Sequence, residues 1–299
     1  MTRLIARILI SFALLAGLAL VGTVIWSLTR PLPLPPPMPK PNGYDDFVKA
    51  GGMLEGDMGD WANLSREELQ GLVRTNSEAL KLARIGLSRE CRVPLEYSPT
   101  SEAHLQDLSK VKRLAQALGV EAKLAEVENR TEDAASTYLE MIRLGEAASR
   151  GGVVIDGMVG VAIEAMAPVE RLITKLDAKQ CREFASISET TAAQQESAQT
   201  VLDHEEDWAR RTYGLRGRLM RLMMSKSLKP NLQRVTGKMQ AQQARIGMLA
   251  INLAARAYEV EKGQPPKTVA DLVPAYLKAV PKDPVTGRNM AYPPGVGSQ

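Results

Sequence analysis

Apolar positions recur at intervals of three and four over most of this chain, and one block departs from that spacing. From Ile8 to Leu28 there are 21 residues without a charged side chain. As a helix rising about 1.5 Å per residue, that run crosses a ~30 Å hydrocarbon core. Ile8, Leu14 and Leu20 belong to it, and Trp26 stands where an interfacial ring is favoured. Arg3 and Arg7 precede it, which places the N-terminus in the cytoplasm and the rest outside, in a single pass of the inner membrane. A cleaved signal peptide is the rival reading. Its apolar core is shorter, ~7–15 residues, and Val24-Ile25-Trp26-Ser27-Leu28 makes a poor cleavage site. Pro31 to Pro41 then holds seven prolines in eleven residues, which predicts a stiff polyproline II spacer.

Beyond the spacer the pattern is helical. Gly51, Gly52, Gly56 and Gly59 with Asp57 and Asp60 predict an irregular lead-in, without the ligand ladder of a calcium loop. Ser65 and Glu68 form a capping box that opens a helix to about Ser88. Leu105, Leu108, Val111, Leu114, Ala115, Leu118 and Ala122 line one face of a helix ending near Glu128. Asn129-Arg130-Thr131 turns the chain into a partner helix with Ala134, Tyr138, Met141, Ile142 and Ala147 on its face. Val153–Leu176 reads as one glycine-spaced helix. Asp156, Glu164, Glu170 and Arg171 exclude it as a second span. Further helices follow from Asp177 and over 190–225, and Asn231–Lys262 is a long helix stopped by Gly263 and Pro265-Pro266. Asp283–Gly287 is a tight turn, and Asn289–Tyr292 a short strand. The expected fold is mainly α. Residues 1–30 form an anchor, 31–41 a spacer, 42–262 a helical bundle and 263–299 a Pro-rich cap.

Composition narrows the function. Aromatics make up only 4% of the chain, which disfavours an all-β fold and the stacking platforms that bind sugars or single-stranded nucleic acid. Asp203-His204-Glu205-Glu206-Asp207 has the residue types of a metal site, but Trp208 stands where a second His would be needed, so a solvated acidic face is the better reading. No acidic residue occurs from Trp208 to Tyr258 among eleven basic ones. Within that stretch Arg216, Arg218 and Arg221 mark a basic face that either pairs with the acidic segments or meets anionic lipid. Cys91 and Cys181 either bridge or remain two buried thiols. No cofactor or catalytic motif stands out, and nucleic acid is not expected as a partner.

Two stretches carry a resemblance. The hairpin around Asn129, with Ala134 and Tyr138, resembles one tetratricopeptide unit. The ending Ala257–Pro266, Leu272–Leu277 and Pro281–Tyr292 resembles the C-terminal part of type II secretion pseudopilins, and that of uncharacterised bacterial membrane-anchored proteins that close in the same way. The pseudopilin likeness implies a helix closed by a Pro-rich, hairpin-like cap. The opening Glu of the pilin helix and the acidic calcium loop have no counterpart here, so filament assembly and calcium binding are not implied. The expected function is a membrane-tethered structural or interaction protein of the cell envelope, with the membrane and envelope proteins as partners. A component of a secretion or pilus-type machine, or an enzyme with an unrecognised site, are the alternatives.

Overall fold

A computed structural model describes residues 14–23, 26, 34–98 and 102–292, without the side chains of 215, 216 and 218–228. The described part is mainly helical.

The first helix of the body, α1 (Gly43–Gly52), lies where an irregular lead-in was expected. Asn42 caps it by accepting the Tyr44 N–H. The same side chain donates to the Arg92 carbonyl at 2.8 Å and accepts the Arg92 N–H at 3.0 Å, which ties the segment around residue 92 to the start of α1. Gly43 and Gly51 are packing contacts rather than loop residues. A Cβ on Gly51 would stand 2.3 Å from the Lys110 carbonyl oxygen.

The capping box of Ser65 and Glu68 is present and opens α2 (Arg66–Thr75). The single helix expected to Ser88 is instead two, because Asn76 turns aside. Its side chain accepts from the Glu55 N–H at 2.9 Å and donates to the Glu55 carbonyl at 3.0 Å, and α3 (Ser77–Leu87) follows. These two side-chain bonds compete with continued helix, as Asn side chains commonly do.

The centre of the body is the hairpin of α4 (Glu102–Val127) and α5 (Thr131–Ser149), turned at Asn129 with φ +59°. Val111, Leu114 and Leu118 face Tyr138, Met141 and Ile142 in the core. Leu105, expected on the buried face of α4, is 51% exposed. Helix α6 (Val154–Ala165) is shorter than the expected Val153–Leu176 helix. Pro168 lacks an N–H and bars further α-helix, so Val169–Lys175 continues as a 3-10 turn.

Asp177 and Gln180 close a capping box on α7 (Ala178–Gln194). The last helix, α8 (Ala198–Lys262), joins the stretches expected as separate elements. It runs through Pro230 and breaks direction at Gly214, whose φ of 56° and ψ of −142° are not helical. Gly263, in the left-handed region, ends it as expected. Arg245 holds α8 to the end of α6, donating to both carboxylate oxygens of Glu170 and to the carbonyls of Glu164 and Ala167. The basic stretch therefore pairs locally in its second half, with Arg256 also bonded to Glu259. The side chains of Arg216, Arg218 and Arg221 lie outside the described residues.

In the cap, Asp283 accepts from the N–H groups of Val285 and Thr286 and from the Thr286 hydroxyl, which makes the expected tight turn. The strand expected at Asn289–Tyr292 does not form. Among the described residues there is one isolated antiparallel bridge, Lys282 to Asn289. Cys91 and Cys181 are buried free thiols, each pushed up by burial, Cys91 to about 12 and Cys181 to about 11. The disulfide reading gives way to the unpaired one.

Residues 14–23 and 26 of the apolar run are helical, and their large side chains stand exposed, Leu18 by 69%. Among the described residues, no helix is long and apolar enough to cross a membrane. Ile8 lies outside them, with most of the flanking run.

Candidate functional site

The main cleft of the body is assembled from five separate stretches of chain. Leu34, Pro35, Pro36 and Met38 of the spacer form one wall, and Arg92–Tyr97 a second. Ala103, His104 and Asp107 come from the start of α4, Gly151 from the loop before α6, and His204, Asp207, Trp208 and Arg211 from α8. The cleft has a volume of about 630 Å³. A second chamber of about 380 Å³ shares Leu95, Glu96, His104 and Trp208 with it and extends between Leu105, Val153, Val154, Ile155 and Met158. Both volumes fall in the range of small-molecule sites.

Both histidines of the chain reach this cleft, although a hundred positions separate them. His104 Nε2 lies 2.8 Å from Oδ1 of Asp156, which is fully buried. The contact is out of line with the ring N–H, so it is an ionic contact more than an aligned hydrogen bond. The other Asp156 oxygen accepts the Val153 N–H at 2.8 Å. Val153 has no side-chain acceptor to return that bond, so the α6 start is capped from one side only. The Asp156 carboxylate outweighs burial and raises the His104 pKa above its ordinary value. Tyr44 closes the cluster from α1. Burial first, then the charges of Asp156 and Asp107, raise its pKa, and its hydroxyl has no hydrogen-bond partner.

His204 sits across the cleft with Nδ1 3.2 Å from the Gly152 carbonyl and 3.7 Å from Glu196. Its neighbours do not gather around it as a metal set. Asp203 accepts from Gln199, Glu205 accepts the Val154 N–H at 3.0 Å, and Asp207 lines the outer cleft. Among the described residues, no group of three or more His, Cys, Asp or Glu is placed to hold a metal ion. The indole N–H of Trp208 donates to the Glu96 carbonyl at 2.8 Å, and the Arg211 guanidinium lies 5.3 Å over the Tyr97 ring. These contacts fix the aromatic wall.

The glycine pair at the rim is required by its surroundings. Gly151 has φ +73°, with Arg92 packed over it, and a Cβ on Gly152 would stand 2.5 Å from that of Asp156. The sequence singled out 203–207 for its residue types, and His204, Glu205 and Asp207 do reach the cleft and its second chamber, but not as a metal set. The spacer, the 92–97 segment, His104 and Asp156 did not stand out, because their partners are remote, and the helical spacing of Leu105 marked it as core although it lines the second chamber.

The His104–Asp156 pair sets a testable titration. A folded-state pKa above the unfolded value means that the pair's stabilisation is full below about pH 6.5 and is lost as pH rises through the folded pKa. Asp156→Asn is expected to lower the His104 midpoint, read by NMR titration. An unchanged midpoint contradicts the pairing.

No protein-family model, curated protein or solved structure matches this chain.

Proposed function

We propose that this chain is a membrane-tethered interaction protein of the cell envelope, anchored by Ile8–Leu28 and carrying a helical body whose cleft receives a partner. The observation that carries the tether is the apolar helical segment at 14–23, whose leucines stand largely exposed. Leu14, Leu15, Leu18 and Leu20 are each about two-thirds exposed (65–69%), and such a row is costly in water and favourable in hydrocarbon. The spacer supports the cleft as the place of contact. Its residues Leu34–Met38 wall the cleft, so the tether reaches the body at that site. Replacing Leu14 and Leu18 together by arginine is expected to move the chain from the membrane fraction to the soluble fraction. Retention of the double variant in the membrane contradicts the anchor.

A second reading, a component of a secretion or pilus-type machine, draws on the cap. Its Asp283 turn and the packing of Met290 near Gly247 of α8 suit the closed helix that the pseudopilin likeness implies. Cleavage of the N-terminus by a prepilin peptidase supports this reading, and an intact Met1 or Thr2 terminus removes it.

A further inference from the structure

Eleven large apolar side chains beyond the anchor are substantially exposed among the described residues, and six of them gather at the cleft. Leu34, Met38 and Tyr97 line the outer cleft, Leu105 and Ile155 line the inner chamber, and Tyr213 stacks edge-on against Trp208 at 5.9 Å. A concentration of exposed apolar surface around one concavity marks a binding site more than a solvent face.

The two chambers differ in chemistry. The inner one is walled by Leu95, Leu105, Val153, Val154, Ile155 and Met158. Of its acids, Glu205 is already bonded to the Val154 N–H. The outer chamber holds charges of both signs. Asp107 is paired with Lys110 at 2.8 Å, and His104 with Asp156. Arg92, Glu96 and Asp207 line the outer chamber, and among the described residues none of them is in a close salt bridge, although the Glu96 charge acts on His104 at longer range. Glu96 and Asp207 line the same chamber as the Trp208 ring, a surface that suits an ammonium group, with Arg211 drawn aside over the Tyr97 ring. The guanidinium of Arg92 suits a phosphate.

We propose that the two chambers form one site for a zwitterionic amphiphile. A single apolar chain occupies the inner chamber, a phosphate meets Arg92, and an amine meets Glu96 and Asp207 beside Trp208. An acid-only or amine-only amphiphile leaves one of these groups unmatched. This inference rests on the cleft's geometry and stands apart from the anchor.

The test uses the full chain in lipid nanodiscs and a soluble single-chain phosphoethanolamine amphiphile with a photoreactive diazirine at its tail. After irradiation, the labelled residues are read by mass spectrometry. Labelling is expected at Leu105, Ile155 and Met158. Arg92→Glu and, independently, Asp207→Lys are expected to reduce it about tenfold, the loss of a charge-assisted contact. Unlabelled phosphoethanolamine amphiphile should compete about tenfold better than dodecanoate or dodecylamine of equal chain length. Either variant is read only where its circular dichroism and melting match the parent. Label confined to the segment at 8–28, equal labelling in both variants, or equal competition by the three amphiphiles overturns the proposal. A two-chain phosphoethanolamine lipid held in separate vesicles distinguishes the source. Labelling by the soluble form and not by the vesicles assigns a free amphiphile, and labelling from vesicles alone overturns it.

Discussion

Gly145→Val is expected to lower the melting temperature by about 6–12 °C, the shift that roughly 3 kcal/mol produces in a chain of this size. Gly145 of α5 meets Gly160 of α6 backbone to backbone. A Cβ on Gly145 would stand 2.6 Å from Glu164 Cγ and 2.7 Å from the Gly160 carbonyl oxygen, and a Cβ on Gly160 would stand 2.6 Å from the Gly145 carbonyl oxygen. Backbone atoms of two packed helices cannot swing aside as a side-chain tip does, so the helices must part. Leaving glycine for another residue returns only about 0.5–1 kcal/mol of helix propensity, less than the overpacking costs. Gly71 in α2 is the control. A Cβ there meets nothing within 4 Å, so Gly71→Ala is expected to raise the melting temperature slightly. Thermal unfolding followed by circular dichroism decides the matter, and equal shifts for the two variants contradict the close crossing.

Glu164→Gln is expected to make the chain more stable than the parent at about pH 9 and nearly equal to it near pH 5, a difference on the order of a few kcal/mol. Glu164 is 3% exposed and lines a small cavity of about 40 Å³ together with Glu146, Arg150, Gln195, Glu196, Val161 and Met239. Gln195 donates to it at 2.9 Å, and Arg245 donates to its backbone carbonyl. Burial dominates and pushes the carboxyl up to about 8, with the charge of Glu146 adding to the rise. The folded pKa lies above the unfolded 4.5, so the folded chain holds a proton that the unfolded chain releases. That stabilisation is complete below the unfolded value and is lost as pH rises through about 8. The amide of the variant cannot ionise, and its N–H group suits the Gln195 Oε1, which has no partner in the parent. Melting curves of both chains from about pH 5 to about pH 9 check this. Parallel curves would falsify the buried ionisation.

The contrast between these sites shows which features were legible in the sequence. Val111, Leu114 and Leu118 announced α4 because burial on one helix face leaves a local period of three and four. Ser65 with Glu68, and Asp177 as a cap, announced helix starts because a cap is closed within four residues. Gly263 announced a helix end for the same local reason. Helix α1 was hidden because Gly43 and Gly51 imitate a loop, while their actual role is to admit Cys91, Gly86 and Lys110 at close range. The α2–α3 break depends on Asn76 reaching Glu55, 21 positions away. Of the cleft only the 203–207 segment drew notice in the sequence, since His104 gains its character from Asp156 and shares a wall with His204 only after the chain has folded.

The tether is tested most directly by alkaline carbonate extraction of membranes from cells making the full chain, combined with protease treatment of intact spheroplasts. The chain is expected to stay in the carbonate-washed membrane, and externally added protease is expected to remove the body. Release by carbonate, or a body protected in intact spheroplasts and cut only after lysis, contradicts it.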